Sequence, residues 1–574
     1  MLPQFDMLLA QTLREHSLTD RLRFVYGEAV APEIAIAVEA LIHAYAGKIP
    51  PAAEGWSERD ALLITYGDSL LGAEPPLRVL RSFLTEEAGG LLSFVHLLPF
   101  YPYTSDDGFS VTDFRQVRED LGTWEDIAAL AEDVRLVFDG VINHVSASSV
   151  YMRGYAAGDP AYADFFLELP RDTDTSQVLR TRNLPLLHEY QTAGGPKWLW
   201  TTFSADQLDL NYRNPRVLLE VLDVMLFYAS RGASMVRLDA IPYLWKTLGT
   251  SCAHLPETHA LIKLIRDVYD LAAPHVLLLT ETNVPHEENI SYFGERGDEA
   301  QIIYNFPLAP LLVWSLLKGD ATALSAWART LEYVGPRATY LNITATHDGI
   351  GMRPVEGLLD EAQRAELVRL AYDRGGDVTG KRNADGSISP YELNLSYFDA
   401  INDPRAEEPR ELQVRRFLLS QAIPLALMGV PGIYLHSLLG SRNDLEGVRR
   451  SGRARSINRQ QLDLEELRAE LRVPGSPRQE VFQGYRRLLE LRGGEPAFHP
   501  DARQEVLDCG PGVFAVRRWS LERGREVLAI HNVTAAIVCI NVCDAGLDLI
   551  SGLPVEAGSL NLAPYQISWI SRED

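Results

Sequence analysis

Eight short apolar runs, each followed by a longer amphipathic stretch, set the tightest limit on how this chain can fold. They are Ala61-Leu-Leu-Ile-Thr-Tyr, Phe94-Val-His-Leu-Leu, Arg135-Leu-Val-Phe, Ser234-Met-Val-Arg, Val276-Leu-Leu-Leu-Thr, Gln301-Ile-Ile-Tyr, Tyr340-Leu-Asn-Ile-Thr and Gly432-Ile-Tyr-Leu. Runs this short without polar alternation read as strands covered on both faces, which is the environment of a parallel sheet. Eight strand–helix units predict an α/β fold, a TIM (β/α)8 barrel with its chemistry at the carboxyl ends of the strands. Such a barrel needs about 250 residues, and this chain has 574. The excess falls outside the rhythm. Residues 1–59 read as a helical, amphipathic N-terminal extension closed by Ile49-Pro-Pro-Ala-Ala. Residues 146–208 form an inserted small domain between the third and fourth strands. Residues 349–410 form a second insertion, whose Gly/Asn/Asp/Ser stretch from Gly380 to Pro390 is expected to be a mobile loop at the acceptor side. Residues 60–145, 209–348 and 411–499 carry the barrel. From 500 to 574 the apolar period changes to two, which predicts a C-terminal antiparallel β domain.

Lys and Arg total 54 against 78 Asp and Glu, a formal charge of −24. Bulk electrostatics therefore disfavour nucleic acid and anionic membranes, and an anionic substrate would need a local basic pocket. The four cysteines, Cys252, Cys509, Cys539 and Cys543, form no C-x-x-C pair and read as reduced thiols of a cytoplasmic protein. No basic segment followed by a long apolar run marks a leader. From Phe417 to Ser441 no charged residue occurs, a length that could span a bilayer. Pro424, Gly429, Pro431 and Gly432 interrupt it, so a helix, a turn and a short buried strand fit better.

Polar residues follow the strands where a barrel places its active site. Strand three runs into Asp139-Gly-Val-Ile-Asn143-His144, strand four into Arg237-Leu-Asp239, strand five into Thr280-Glu281 and strand seven into Thr346-His347-Asp348. One such carboxylate could simply cap the next helix. Three, accompanied by an Arg and two His, point to glycosyl transfer, in which one carboxylate attacks the anomeric carbon and another protonates the leaving oxygen. In retaining enzymes the two lie ~5–5.5 Å apart, a span that adjacent strands four and five supply through Asp239 and Glu281. Arg237, two residues before Asp239 and on the same side of its strand, is expected to hold that carboxylate charged.

These four segments resemble, in order, the signature regions of the α-amylase family of glycoside hydrolases. The resemblance implies Asp239 as nucleophile, Glu281 as general acid/base and Asp348 as transition-state stabiliser, with Arg237, His144 and His347 as sugar-binding companions. Asp106-Asp107-Gly108-Phe109, Trp200-Thr-Thr-Phe203, Gln207-Leu-Asp209 and Gly452-Arg-Ala-Arg-Ser-Ile-Asn458-Arg459 are similar to motifs of the sucrose phosphorylase branch. By that similarity Asp106 holds the far edge of glucose with Arg459 as its partner. Gln207 joins the glucose site, and Phe109 and Phe203 form an apolar collar.

A phosphorylase must bind inorganic phosphate, here a substrate rather than a cofactor, and no G-x-x-x-x-G-K-[ST] loop is present to do so. The branch uses an Arg-Pro-Arg motif and a late Tyr. This chain has Arg180-Thr-Arg182 and Ser389-Pro-Tyr391-Glu392, so the resemblance places Arg182 and Tyr391 on phosphate. Glu392 and Tyr243 are placed beside them. Ser389 and Glu392 depart from the fructose-binding loop of sucrose phosphorylases. Trp245-Lys246, Gly249-Thr-Ser-Cys252-Ala-His254 and Thr280-Glu-Thr-Asn-Val-Pro-His286 resemble glucosylglycerate phosphorylases instead. A glycerate carboxylate needs a cation, for which Lys246, Lys197 and Arg180 are candidates.

The expectation is a retaining phosphorolysis of 2-O-α-D-glucosylglycerate to α-D-glucose 1-phosphate and D-glycerate. No organic cofactor and no metal are expected, and the partners are small molecules, with a homodimer compatible. Sucrose, sucrose 6′-phosphate and glucosylglycerol are alternative substrates. A hydrolase or transglucosidase is the rival enzyme, distinguished by glucose 1-phosphate formation. A non-catalytic barrel subunit would be expected to lose a carboxylate, and all three are present.

Overall fold

The computed structural model describes residues 17–573 apart from 53, 296, 384 and 523. Its centre is a closed barrel of eight parallel strands: β1 (Leu62–Thr65), β2 (Phe94–Leu97), β3 (Arg135–Gly140), β4 (Ala233–Leu238), β5 (Leu277–Thr280), β6 (Ile302–Tyr304), β7 (Thr339–Ile343) and β8 (Val430–Tyr434). Each pairs with its sequence neighbours. β1 closes the ring, with Leu62 opposite both Phe94 of β2 and Gly432 of β8. Every predicted run supplies one strand. The side chains explain why: β1, β5 and β8 are buried along their whole length, and a fully buried aliphatic side chain contributes about 1.5–3 kcal/mol. The helix Pro215–Ser230, which leads into β4, shows the local logic. Asn214 caps the Arg216 amide, Pro215 occupies the first turn, and Val217, Leu218, Val221, Leu222 and Met225 are buried.

The charge-free segment resolves as expected into part of the helix Arg410–Ala426, a turn and β8. Pro424 sits in the last turn of that helix. Gly429 turns the chain at φ +121°, where a Cβ would lie 2.6 Å from the Tyr340 carbonyl oxygen. No helix among the described residues is long and apolar enough to cross a membrane.

After β3 the chain leaves the barrel. His144–Ser146 pairs antiparallel with Gln207–Asp209, and between them lie the helix Val150–Ala157 and the hairpin Leu187–Thr192/Gly195–Trp200. After β7 comes a three-stranded sheet of Ile350–Gly351, Ile388–Asn394 and Asp377–Arg382. The stretch 380–390, expected as a loop, is therefore mostly hairpin. Its Gly/Asn/Asp/Ser content marks only the turn, where the Asn383 amide donates to the Ser387 carbonyl (2.8 Å) and Gly386 takes φ +85°. The C-terminal residues build a six-stranded antiparallel sheet and a separate two-stranded one. At the other end, residues 1–16 of the expected helical extension lie outside the described residues. The described part, helices over 17–26 and Ala31–Tyr45, packs on the barrel through Arg21, which pairs with Asp267 (2.6 Å) and Asp298 (2.9 Å).

Candidate active site

At the carboxyl ends of the strands, one cavity is lined by Asp239, Glu281 and Asp348 together with Asp106, Phe109, His144, Phe203, Gln207, His347 and Arg455. Parallel register brings the first two together. The Asp239 amide donates to the Gly140 carbonyl (3.1 Å) and the Glu281 amide to the Leu238 carbonyl (3.0 Å). Ala240, directly after Asp239, adopts φ +52° and aims its own amide at Glu281 Oε2 (3.4 Å).

The electrostatics separate the three acids. Burial pushes Asp239 well above the usual carboxylate range, with Arg237 opposing and Glu281 and Asp139 adding. Burial also raises Glu281, again against Arg237 and with Asp348 adding. Two carboxyls on one cavity, each raised, disfavour carrying two negative charges at once. Asp348 is the opposite case. Burial works against its charge, but the guanidiniums of Arg455 and Arg459 outweigh burial and hold it well below the usual range. Arg455 Nη1 lies 2.8 Å from Asp348 Oδ1. Burial lowers both His144 and His347, leaving neutral imidazoles suited to sugar hydroxyls. The His144 tautomer is set by its neighbours: Asn143 donates to Nδ1 (3.2 Å), and Nε2 donates to the Phe109 carbonyl (2.9 Å). Phe109 stacks on His347 with ring centres 5.0 Å apart.

Against known proteins, residues 92–330 match the family Alpha amylase, catalytic domain. The chain is 47% identical over 525 residues to a glucosylglycerate phosphorylase of Spirochaeta thermophila, covering 90% of this chain and 89% of that protein. It is 46% identical over 563 residues to a glucosylglycerate phosphorylase of Allomeiothermus silvanus, covering 98% and 99%. The chain belongs to the α-amylase family, in its sucrose phosphorylase branch. Among solved structures, sucrose 6F-phosphate phosphorylase from Thermoanaerobacter thermosaccharolyticum superposes with a TM-score of 0.73 at 24% identity, over 88% of this chain and 98% of that one, which speaks for the fold.

Several placements differ from those read in the sequence of this family member. Arg459 does not partner Asp106. It pairs with Asp107 (2.6 Å), donates to the His347 carbonyl (2.8 Å) and lies behind the cavity wall. The guanidinium facing Asp106 is that of Arg455, 4.0 Å away. The reason is backbone geometry: Asp106 and Asp107 take φ +54° and +48° in succession, so one carboxylate turns into the cavity and the next away from it. Gln207 completes the Asp106 contact, donating to Oδ2 (3.1 Å). Arg237 does touch Asp239 (3.1 Å), but the same nitrogen lies 2.8 Å from Asp139, so its charge is shared and does not by itself keep Asp239 ionised.

The acceptor side is also rearranged. Lys246 does not reach the cavity. It pairs with buried Asp209 (2.6 Å) and donates to Asn143 (3.2 Å), the residue that orients His144, because a buried ammonium takes the nearest buried carboxylate. Lys197 lies on the inserted hairpin, paired with Glu168 (2.7 Å). Arg180 does not line the cavity either and donates to the Leu184 carbonyl of its own loop. Arg182, Tyr391, Tyr243 and Glu392 do line it. Arg182 stands over the Tyr391 ring at 5.3 Å, and Glu392 chelates Arg455 with two contacts of 2.8 Å. Sequence reasoning left out Arg455, Asp139 and Asn283. All three stood inside quoted motifs, where spacing alone could not show which neighbouring side chain faces the cavity or its ion pairs.

Proposed function

We propose that this chain catalyses the reversible phosphorolysis of 2-O-α-D-glucosylglycerate to α-D-glucose 1-phosphate and D-glycerate, with retention. The observation carrying this reading is its likeness, at 46% identity across nearly its whole length, to a glucosylglycerate phosphorylase. The site supplies what the chemistry needs. Asp239 attacks the anomeric carbon while Glu281 gives its proton to the departing glycerate oxygen, forming a glucosyl ester. Phosphate oxygen then attacks the same carbon, Glu281 takes up the proton, and Asp239 is released. One proton shared by the pair is the stoichiometry this cycle requires. Asp348, held ionised, faces the oxocarbenium charge, and neutral His144 and His347 with Asp106 and Gln207 grip the sugar. Arg182 and Tyr391 are the phosphate ligands in this reading, and no organic cofactor or metal enters the cycle.

Glucosylglycerate incubated with the protein and inorganic phosphate should yield α-D-glucose 1-phosphate and equimolar D-glycerate. Free glucose formed at the same rate with and without phosphate would instead establish a hydrolase.

A further inference from the structure

We propose that Arg353 binds the carboxylate of the acceptor, an assignment that rests on the glucosylglycerate reading above. Arg353 opens a turn (Arg353–Val355) directly after Ile350–Gly351, whose Gly351 pairs with Glu392. The Met352 amide donates to the Tyr391 carbonyl (2.9 Å). Arg353 itself is not among the residues lining the cavity, but its backbone is thus pinned beside two that are. Gly351 also abuts Asn283, another wall residue, whose Oδ1 would stand 2.5 Å from a Cβ at that position.

The side chain of Arg353 is 7% exposed. Nε and Nη1 are buried with no hydrogen-bond partner, and so is Asn283 Oδ1. The remaining nitrogen, Nη2, is 3.7 Å from Glu288 Oε2, beyond hydrogen-bond range. Burial pushes the cavity-lining Tyr243 phenol up to about 12, and Arg353 is the strongest influence against that rise. A guanidinium with idle N–H groups in a low-dielectric interior is unfavourable unless an anion meets it, and its fork matches a carboxylate through two parallel bonds. The lysines that could have served are already neutralised by Asp209 and Glu168. Arg182, across the Tyr391 ring, remains for phosphate.

The test runs the reaction in reverse, with α-D-glucose 1-phosphate as donor and either D-glycerate or uncharged glycerol as acceptor, in wild type, Arg353→Gln and Arg353→Lys. Loss of the fork in Arg353→Gln should raise KM for D-glycerate roughly tenfold or more. The glycerol-to-glycerate preference should rise by a similar factor, with KM for glucose 1-phosphate and, in the forward direction, phosphate within about threefold. Arg353→Lys, which keeps the charge without the fork, should fall between. Equal losses with both acceptors would make Arg353 a structural residue, and a rise in KM for phosphate matching that for glycerate would make it a phosphate ligand; either result overturns the assignment. A wild type that transfers to neither acceptor would overturn the functional reading first and this assignment with it. An active wild type with unaltered Arg353→Gln selectivity would remove only the assignment.

Discussion

At and just behind the glucosyl end of the cavity Asp106, Asp139, Asp239, Glu281 and Asp348 meet three guanidiniums, those of Arg237, Arg455 and Arg459. At the acceptor end, Glu392 is spent on Arg455 and, among the described residues, Arg182 forms no ion pair; Arg353, the acceptor ligand of our proposal, lies 3.7 Å from Glu288. Even with one proton shared between Asp239 and Glu281, the first region is net negative, whereas the second presents the guanidinium of Arg182 with no ion pair among the described residues. The contrast follows the chemistry. A glucosyl cation develops at one end while a carboxylate leaves and phosphate enters at the other, so a single field polarised along the cavity suits both half-reactions. A protein with a net charge of −24 thus keeps one cavity-lining cation, Arg182, out of ion pairs where an anionic reactant would sit.

The sharpest way to break this contrast is at the negative end. Asp239→Ala should lower kcat by about 10⁴-fold or more, since no other carboxylate can form the ester; glucose 1-phosphate release at near wild-type rate would end the assignment. Glu281→Gln should cost about 10²–10⁴-fold and also change the pH profile. In the wild type, activity should fall on the acid side as the Asp239/Glu281 pair takes up a second proton, and on the alkaline side as it loses the one it needs. Burial raises both carboxyls, so both limbs lie above those of ordinary carboxylates. The Gln variant should keep the acid limb and lose the alkaline one, and an unchanged bell would assign the proton elsewhere.

Arg455→Met removes the cation shared by Asp348 and Glu392. Asp348 should then titrate at higher pH, so the acid limb should move up while kcat drops by about 10²-fold, the scale of losing one charge-stabilising group. Lys246→Met tests the correction at the acceptor end. It leaves Asp209 buried and unpaired, so it should destabilise the fold by about 3–5 kcal/mol, read by denaturant unfolding, without changing the glycerate-to-glycerol preference; a shifted preference would return Lys246 to the acceptor site. Lys197→Ala is the smallest change. Its half-exposed pair with Glu168 is worth at most about 1 kcal/mol, and kinetic constants should not move.

Much of this was legible in the chain. The eight apolar runs became the eight barrel strands, and the carboxylates following strands four, five and seven, with His144 and His347, converged on one cavity. What failed was pairing. Arg455 and Arg459 lie four residues apart and Asp106 and Asp107 are adjacent, so the sequence offers every cross-pairing. Two successive left-handed backbone turns decide which contacts form. The stretch around Gly386 misled in another way, because the same residues that end a hairpin also fill an irregular loop.

Sequence alone determined the barrel and the acids at its rim, because burial periodicity and strand-end position are local properties carried by neighbouring residues. Which cations those acids and the reactants meet was decided only by tertiary structure. Lys246 is spent on Asp209, Arg237 is divided between Asp139 and Asp239, and Arg353 is left without a hydrogen-bonded partner beside Tyr391. Charge pairing depends on distances across the fold, between residues as far apart as Asp107 and Arg459, and no local pattern encodes those distances.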